Sequence, residues 1–572
     1  MTSMNKYLAL CLVWIGGDGA LELTAQTADT NRVAAPLGQI REERIGQGPN
    51  LDQGWESWIS ADGRHVAMLQ QTPNQRVVMV VDGRPGLESD WIGSFVFSRD
   101  GEHHAYVARQ GAREMIVRDG QADQRFDKVV GEKVRNHVAF SPDGRHLAHW
   151  ARTKGQWQVW LDGQPGPEFD GLTGPNSPVF SPDSRRLAYA GEKNGRCQVV
   201  VDGRVAGQYE LTPEETVPWF SPDGQRCAWV AKQGELRYVV LDGQAGPGFV
   251  EINPILCFSP DSRRLAYTVR KDHQWRVCLD GQLGDTFDRI VPFLCFSPDS
   301  RRFAYVAERG GKSQVVIDNQ AGPAFDKIMA YELVWVHFSP DSQRTAYGAR
   351  AANKWVVVVD GQLGRGYDQI QPHLSFFSPN SRHVAFAARN GPLWMMIWDG
   401  QASTPYDELG EITLLFSLDG EQYAFTGRRG AQWFPVLNGK EQKAIEGIGS
   451  LNVYCFSPDS KRLALTAGPV RERAPDGGLI IKGNCFVLVD GQAGPGGEAF
   501  ITGPRFSPDS QHVAYAIQHG FLSARVVLDG QPGPEFERII GNGPFFLNNQ
   551  EIEYLGLRQG ALFRIHQGGP AK

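Results

Sequence analysis

Residues 179–203 of the chain read VFSPDSRRLAYAGEKNGRCQVVVDG. The same order of features returns along the whole 572-residue sequence: an apolar run ending in Phe, a Ser-Pro-Asp turn, a second apolar run, a polar break, a β-branched run and an Asp-Gly pair. The residue before the Ser marks twelve copies, at positions 59, 97, 140, 180, 220, 258, 296, 338, 377, 416, 456 and 506. A thirteenth, degenerate copy begins at Phe546. A repeat of about 40 residues indicates an array of similar structural units.

Each unit divides into four short strands. Ser-Pro-Asp favours a tight turn after the first strand, because Ser bonds the following backbone and Pro presets φ. Asp-Gly between apolar runs predicts a type I′ hairpin after the third strand. First strands such as residues 293–296 are apolar at every position, which indicates burial on both faces between neighbouring units. Four strands in about 40 residues are the blade of a β-propeller, so we predict an all-β fold.

The Ser-Pro-Asp-(Gly/Ser) turn followed by a strand such as Leu187-Ala188-Tyr189 resembles the WD40-like propeller repeat of the TolB family. The same repeat builds the propeller domains of prolyl-oligopeptidase relatives. The resemblance covers roughly residues 55–566 and includes eight uninterrupted Ser-Pro-Asp copies. Two features depart from those families: we find no α/β domain ahead of the repeats and no hydrolase domain behind them. The resemblance therefore implies a fold more firmly than an activity.

Thirteen units exceed the 4 to 8 blades typical of one propeller ring. We therefore expect two rings of six and seven blades, with residues 39–310 forming the first half of the repeats and residues 311–567 the second. A single large ring is the alternative. Residues 48–52 read as an unpaired fourth strand, and the last unit stops after its third strand near Ile565. The N-terminal segment is thus predicted to complete the C-terminal blade.

The N-terminus resembles a short signal peptide, because Lys6 precedes an apolar stretch over residues 7–15. We assign residues 1–20 to this signal and residues 21–38 to a flexible leader. The apolar stretch is too short to span a bilayer, and we expect no transmembrane segment in the mature chain. These features predict a periplasmic or secreted protein, with a cytoplasmic location as the alternative.

Composition and motifs exclude several classes of function. A net charge of -6 lacks the basic excess of a nucleic-acid-binding protein. None of the eight cysteines is spaced as Cys-x-x-Cys, which removes zinc and thioredoxin-type sites. The turn aspartates occur once per blade and cannot converge on one metal ion. The sequence has no nucleophile elbow, zinc-protease motif or phosphate-binding loop. We expect no catalytic residue, metal or cofactor.

We expect the function of a binding scaffold for a protein or peptide in the bacterial cell envelope, with oligomeric state left open. A propeller hydrolase or lyase acting on a peptide or glycan at the channel mouth is the alternative. Loops on the face opposite the Ser-Pro-Asp turns vary most and form the default binding surface. The candidate binding residues are loop residues Tyr331, Glu332 and His373; His337 and Arg505, which occupy an otherwise apolar position before the anchor Phe; and Arg471, Arg473 and Ile480 in an insertion at residues 467–484.

Overall fold

The computed structural model describes ten stretches of the chain: residues 40–47, 57–129, 138–172, 178–210, 217–329, 336–371, 376–411, 414–473, 479–520 and 522–568. For residues 471–473 and 479–482 it describes the backbone alone. All regular elements in these stretches are β-strands. They contain no helix that is long and apolar enough to cross a membrane.

The strands form thirteen antiparallel sheets, which we call blades 1 to 13 in chain order, and one separate hairpin. In blades 4, 6, 8 and 10 the first strand has two pieces that pair with the same second strand. Blades 1 to 4 comprise Ser57–Ile59, Val66–Gln71, Val77–Val81 and Arg84–Pro85; Trp91–Phe97, His104–Gln110, Arg113–Arg118 and Gln121–Phe126; Val138–Phe140, Leu147–Thr153, Gln156–Leu161 and Gln164–Pro165; Gly171–Leu172 with Val179–Phe180, Leu187–Lys193, Arg196–Val201 and Arg204–Glu210.

The middle blades repeat this plan with two-residue fourth strands. Blades 5 to 9 comprise Trp219–Phe220, Cys227–Gln233, Leu236–Leu241 and Gln244–Ala245; Glu251–Ile252 with Cys257–Phe258, Leu265–Lys271, Gln274–Leu279 and Gln282–Leu283; Arg289–Phe296, Phe303–Arg309, Lys312–Ile317 and Gln320–Ala321; Lys327–Ile328 with His337–Phe338, Thr345–Ala351, Lys354–Val359 and Gln362–Leu363; Gln369–Gln371, Ala385–Asn390, Leu393–Trp398 and Gln401–Ala402.

The last blades carry the insertion and the junction of the chain ends. Blades 10 to 13 comprise Glu408–Leu409 with Leu415–Phe416, Tyr423–Arg429, Gln432–Leu437 and Lys440–Glu441; Ser450–Phe456, Leu463–Gly468, Cys485–Val489 and Gln492–Gly497; Ala499–Phe506, Val513–Gln518, Ala524–Leu528 and Gln531–Phe536; Arg538–Phe546, Glu551–Arg558, Ala561–Gly568 and Ile40–Gln47. The separate hairpin, Val470–Arg473 with Leu479–Lys482, lies between the second and third strands of blade 11.

The blades form one closed ring, because each sheet packs against the next through its own apolar cluster. Ala304 and Val306 of blade 7, for example, pack with Tyr347 and Ala349 of blade 8. The ring closes where Val66 of blade 1 packs with Leu555 and Leu562 of blade 13. The expected arrangement of two rings is therefore wrong, and the single ring is correct. The expected limit between the two halves falls in the turn at residues 310–311, inside blade 7.

The chain ends meet in blade 13, where Ile40–Gln47 pairs antiparallel with Ala561–Gly568. Arg558 forms an ion pair with Glu42 across this junction. The predicted closure of the last blade by the N-terminal segment is confirmed, but the strand ends at residue 47. The segment 48–52, which we expected to form it, lies outside the described stretches.

Second strands, rather than first strands, are the most deeply buried. Leu265–Lys271 has five consecutive buried residues, whereas Cys257 and Phe258 of the first strand in the same blade are half-buried. A first strand pairs on one side only, and the first strands of successive blades, such as Ala499–Phe506 and Arg538–Phe546, lie next to each other, so their free edges face the opening of the ring. Packed sheets lie about 10 Å apart, so thirteen blades leave an opening roughly 25 to 30 Å wide between opposite first strands.

Candidate functional site

The Ser-Pro-Asp turns serve the ring itself. In blade 5, Ser221 Oγ donates a 2.6 Å hydrogen bond to Asp223 Oδ1 and accepts one of 3.0 Å from the backbone N–H of Arg226. The backbone N–H of Asp223 donates to Ser262 Oγ of blade 6 at 2.9 Å, which links the two blades. The hydrogen bond from Ser221 holds the pKa of Asp223 below its usual value. These carboxylates are therefore committed to the turns.

In six blades, an arginine directly before the second strand, which we call the clamping arginine, contacts the next blade. Arg302 of blade 7 donates from Nε to Asp318 Oδ2 at 3.1 Å and from Nη1 to the Gln343 carbonyl of blade 8 at 3.0 Å. Its guanidinium lies 5.4 Å from the centroid of the Phe338 ring, the anchor Phe of blade 8. The same stacking recurs for Arg186 on Phe220, Arg226 on Phe258, Arg264 on Phe296, Arg344 on Phe377 and Arg462 on Phe506.

A cleft of about 520 Å³ opens on this face between blades 3 and 4. His146, Leu161 and Asp162 of blade 3 line it from one side, and Phe180 and Arg186 of blade 4 line it from the other. His146 takes the position that Arg302 has in blade 7, and its Nδ1 lies 2.7 Å from Asp162 Oδ2. The shorter imidazole side chain leaves open the space that an arginine fills at the regular junctions.

Sequence reasoning missed this cleft because histidine alone does not create it. Blade 2 also has a histidine at this position, but Arg118 of its third strand lies 5.5 Å from the Phe140 ring and donates to the Arg145 carbonyl at 3.0 Å. In blade 3 the residue equivalent to Arg118 is Leu161, since both directly precede the Asp-Gly turn. Blade 12 carries the same pair, His512 and Leu528, so the pair does not by itself identify the cleft in the sequence.

His337 and Arg505 contact aromatic rings of the following blade. The His337 ring lies 5.1 Å from that of Phe376 at an interplanar angle of 90°, and Arg505 lies 4.5 Å from the Phe545 ring. Burial lowers the pKa of His337 to about 4. The sequence predicted polar groups in need of partners at these positions, and the partners that the structure describes for them are aromatic rings.

The insertion in blade 11 forms the hairpin that its turn chemistry predicts. Arg471 is the register partner of Ile481, and Glu472 is the partner of Ile480. Alternation along a strand therefore places Arg471 and Arg473 on one face of the ribbon and Ile480 on the other. A Cβ atom added to Gly449 would lie 2.2 Å from the carbonyl oxygen of Pro469, so the base of the hairpin packs closely on the preceding segment.

The remaining candidates are loop residues that the structure does not describe. Tyr331, Glu332 and His373 lie outside the described stretches, as do residues 48–56, 130–137 and 211–216, which belong to segments that join fourth strands to first strands. Most connections between second and third strands are tight turns, such as Asn194-Gly195, and not the variable loops we expected. Within the part of the chain that the structure covers, no group of three or more His, Cys, Asp or Glu could hold a metal ion.

No protein-family model matches the sequence, and no curated protein matches it. Similar solved structures include a eukaryotic initiation factor, at 12% identity over 57% of this chain and 91% of that chain, with a TM-score of 0.29. TolB from Acinetobacter baumannii is 18% identical over 39% of this chain and 63% of its own, with a TM-score of 0.20. The Cps50 (Swd1) β-propeller domain of Myceliophteria thermophila is 13% identical over 48% and 97%, with a TM-score of 0.21. The β-propeller fold itself rests on the chain's own thirteen sheets.

Proposed function

We propose that the protein is a non-catalytic scaffold that binds a protein or peptide partner in the cell envelope. The hairpin of blade 11 carries this proposal. It adds two strands, Val470–Arg473 and Leu479–Lys482, at a connection that other blades close with a tight turn. The ring does not need these strands, since blade 11 is complete without them. A ribbon that combines arginines with aliphatic residues suits recognition of a partner.

The distribution of polar groups supports a binding surface on the face that carries the hairpin. On the opposite face, the Ser-Pro-Asp turns and the clamping arginines make contacts between blades: the backbone N–H of Asp223 donates to Ser262 Oγ, and Arg302 donates to the Gln343 carbonyl. At the regular junctions, which an arginine fills, a partner on that face would compete with contacts that hold the ring together. The opening of the ring is wide enough to admit an α-helix of about 10 to 12 Å diameter.

The test replaces residues 469–484 with Asn-Gly, the turn used at residues 194–195 in blade 4. We expect the variant to keep its melting temperature, because the hairpin lies outside the four strands of blade 11. Partners are captured by crosslinking in cell-envelope extract and quantified by mass spectrometry against the native chain. A control replaces Lys154-Gly155, a tight turn of blade 3, with the same Asn-Gly.

Loss of one or more captured proteins in the hairpin variant, but not in the control, would support the proposal. Identical capture by all three proteins would overturn it. Location in the envelope has a separate test, because cleavage of the N-terminal signal would leave a native protein that starts later than about residue 16. An intact N-terminus in the cytosolic fraction would contradict it.

A further inference from the structure

The cleft between blades 3 and 4 repeats the site in which the chain binds its own arginine side chains. At the junction of blades 7 and 8 that site consists of a stacking ring, Phe338, a carboxylate, Asp318, and a carbonyl oxygen, that of Gln343. The cleft contains the equivalents of all three: the Phe180 ring, the Asp162 carboxylate and the backbone of Arg185. Six junctions hold a guanidinium group on such a ring and carboxylate, and at five of them it also donates to the carbonyl oxygen.

We propose that the cleft binds the arginine side chain of a peptide segment from a partner protein. The guest guanidinium stacks on Phe180 and donates to Asp162 and to the Arg185 carbonyl, as Arg302 does at its own junction. Leu161 and Pro165 provide an apolar wall for the aliphatic stem and for a neighbouring residue of the peptide.

The far wall of the cleft has the same charge pair as an occupied site. Asp202 on the far wall is paired with Arg186 at 2.9 Å, just as Asp280 is paired with Arg264 beside the site that holds Arg226. Asp162 is also approached by Arg118, at 3.5 Å, and by His146. A guest therefore shares this carboxylate, and stacking on Phe180 provides much of the selectivity.

This inference is independent of the proposed function. The cleft lies on the face of the Ser-Pro-Asp turns, whereas the hairpin of blade 11 lies at the opposite ends of the strands. Removal of the hairpin should leave the cleft unchanged, and filling the cleft should leave the hairpin unchanged. The two proposals can therefore fail separately.

The experiment uses the full chain and the probe acetyl-Leu-Arg-Leu-amide, with its binding measured by saturation-transfer NMR and calorimetry. Peptides with citrulline or lysine in place of arginine test the charge and the planar fork separately, and free arginine tests a small-molecule source. His146→Arg supplies the guanidinium from the chain itself. His512→Arg makes the same change in blade 12 and is the matched control, since His512 is also paired with its turn aspartate, at 2.6 Å.

We expect the arginine peptide to bind at least ten-fold more tightly than the citrulline and lysine peptides. His146→Arg should abolish this binding and His512→Arg should preserve it. Phe180→Leu keeps an apolar wall without the ring face and should weaken binding of the arginine peptide at least five-fold. This variant tests the proposal if His146→Arg does not fold. Equal binding of the arginine and citrulline peptides, or full binding by His146→Arg, would overturn the proposal. Free arginine binding as tightly as the peptide would overturn the assignment to a peptide.

Discussion

A buried histidine should make the ring sensitive to acid. His149 lies in the second strand of blade 3, is only 2% exposed and packs against Phe126 of blade 2, with 5.5 Å between ring centroids. Neither ring nitrogen has a hydrogen-bond partner in the part of the chain that the structure describes. Its register partner Trp160 contacts the same Phe126 ring. We therefore expect His149→Phe to stabilise the protein, and most strongly at low pH.

The size of the effect follows from the pKa. Burial lowers the pKa of His149 from 6.5 to about 3. Between these values the unfolded chain binds a proton that the folded chain does not, so the free energy of unfolding falls as the pH falls through this window. At pH 4.5, two units below the unfolded value, the loss is about 2.7 kcal/mol. Relief of two unpaired nitrogens adds about 1 to 3 kcal/mol at any pH.

Urea unfolding at pH 7.5 and pH 4.5 measures both contributions. His149→Phe should be more stable at pH 7.5 and should lose less stability than the native protein on going to pH 4.5. His149→Gln is the control, because it keeps a polar group but does not titrate, so it should remove only the pH-dependent part. His337, whose pKa is lowered to about 4, retains its own contribution in both variants. If native protein and His149→Phe lose equal stability between the two pH values, the reasoning is refuted.

Three further predictions concern the clamps, the ring closure and the thiols. Arg302→Ala should lower the free energy of unfolding by about 1 to 2 kcal/mol. Arg301→Ala is the control and should change it by less than about 0.5 kcal/mol, because the Arg301 side chain is 86% exposed. Equal urea midpoints for the two variants would contradict this prediction. A chain that lacks Ile40–Gln47 should have a lower melting temperature than a chain that starts at residue 39, and it should associate in ultracentrifugation. The reason is that the third strand of blade 13 loses the strand that pairs with its outer edge. Burial raises the pKa of Cys227 and Cys257 to about 12, so iodoacetamide at pH 8 should label them, by mass spectrometry, only after unfolding.

Local chemistry determined the blades but not the size of the ring. Asp202 and Gly203 have φ values of 51° and 75°, the two positive angles that Asp-Gly predicts for a type I′ turn. The angle between successive blades is about 28° in a ring of thirteen and about 51° in a ring of seven. That angle depends on how side chains such as Ala304 and Tyr347 share the space between two sheets. A single repeat does not show this packing, so the sequence predicted the number of blades and misjudged their partition.

The candidate site, like the ring, was only partly predictable from the sequence. Comparison of equivalent positions identified His337 and Arg505 as exceptions, and both have partners in the next blade. The cleft could not be predicted in this way, because His146 and Leu161 have counterparts of the same residue types in His512 and Leu528 of blade 12. Only the structure shows the open space in front of the anchor Phe of blade 4.

A wide ring also exposes the inner edges of its blades, and the sequence limits what can pair with them. Proline stands two residues before the end of the first strand at Pro178, Pro218, Pro504 and Pro544. Proline has no N–H to donate, and first-strand pieces of two residues, as in blades 4 and 5, offer little edge for another strand. A partner that adds a β-strand is therefore disfavoured at the inner edges of blades 4 and 5. Recognition beside these blades must come from side chains, as it does in the proposed arginine site between blades 3 and 4.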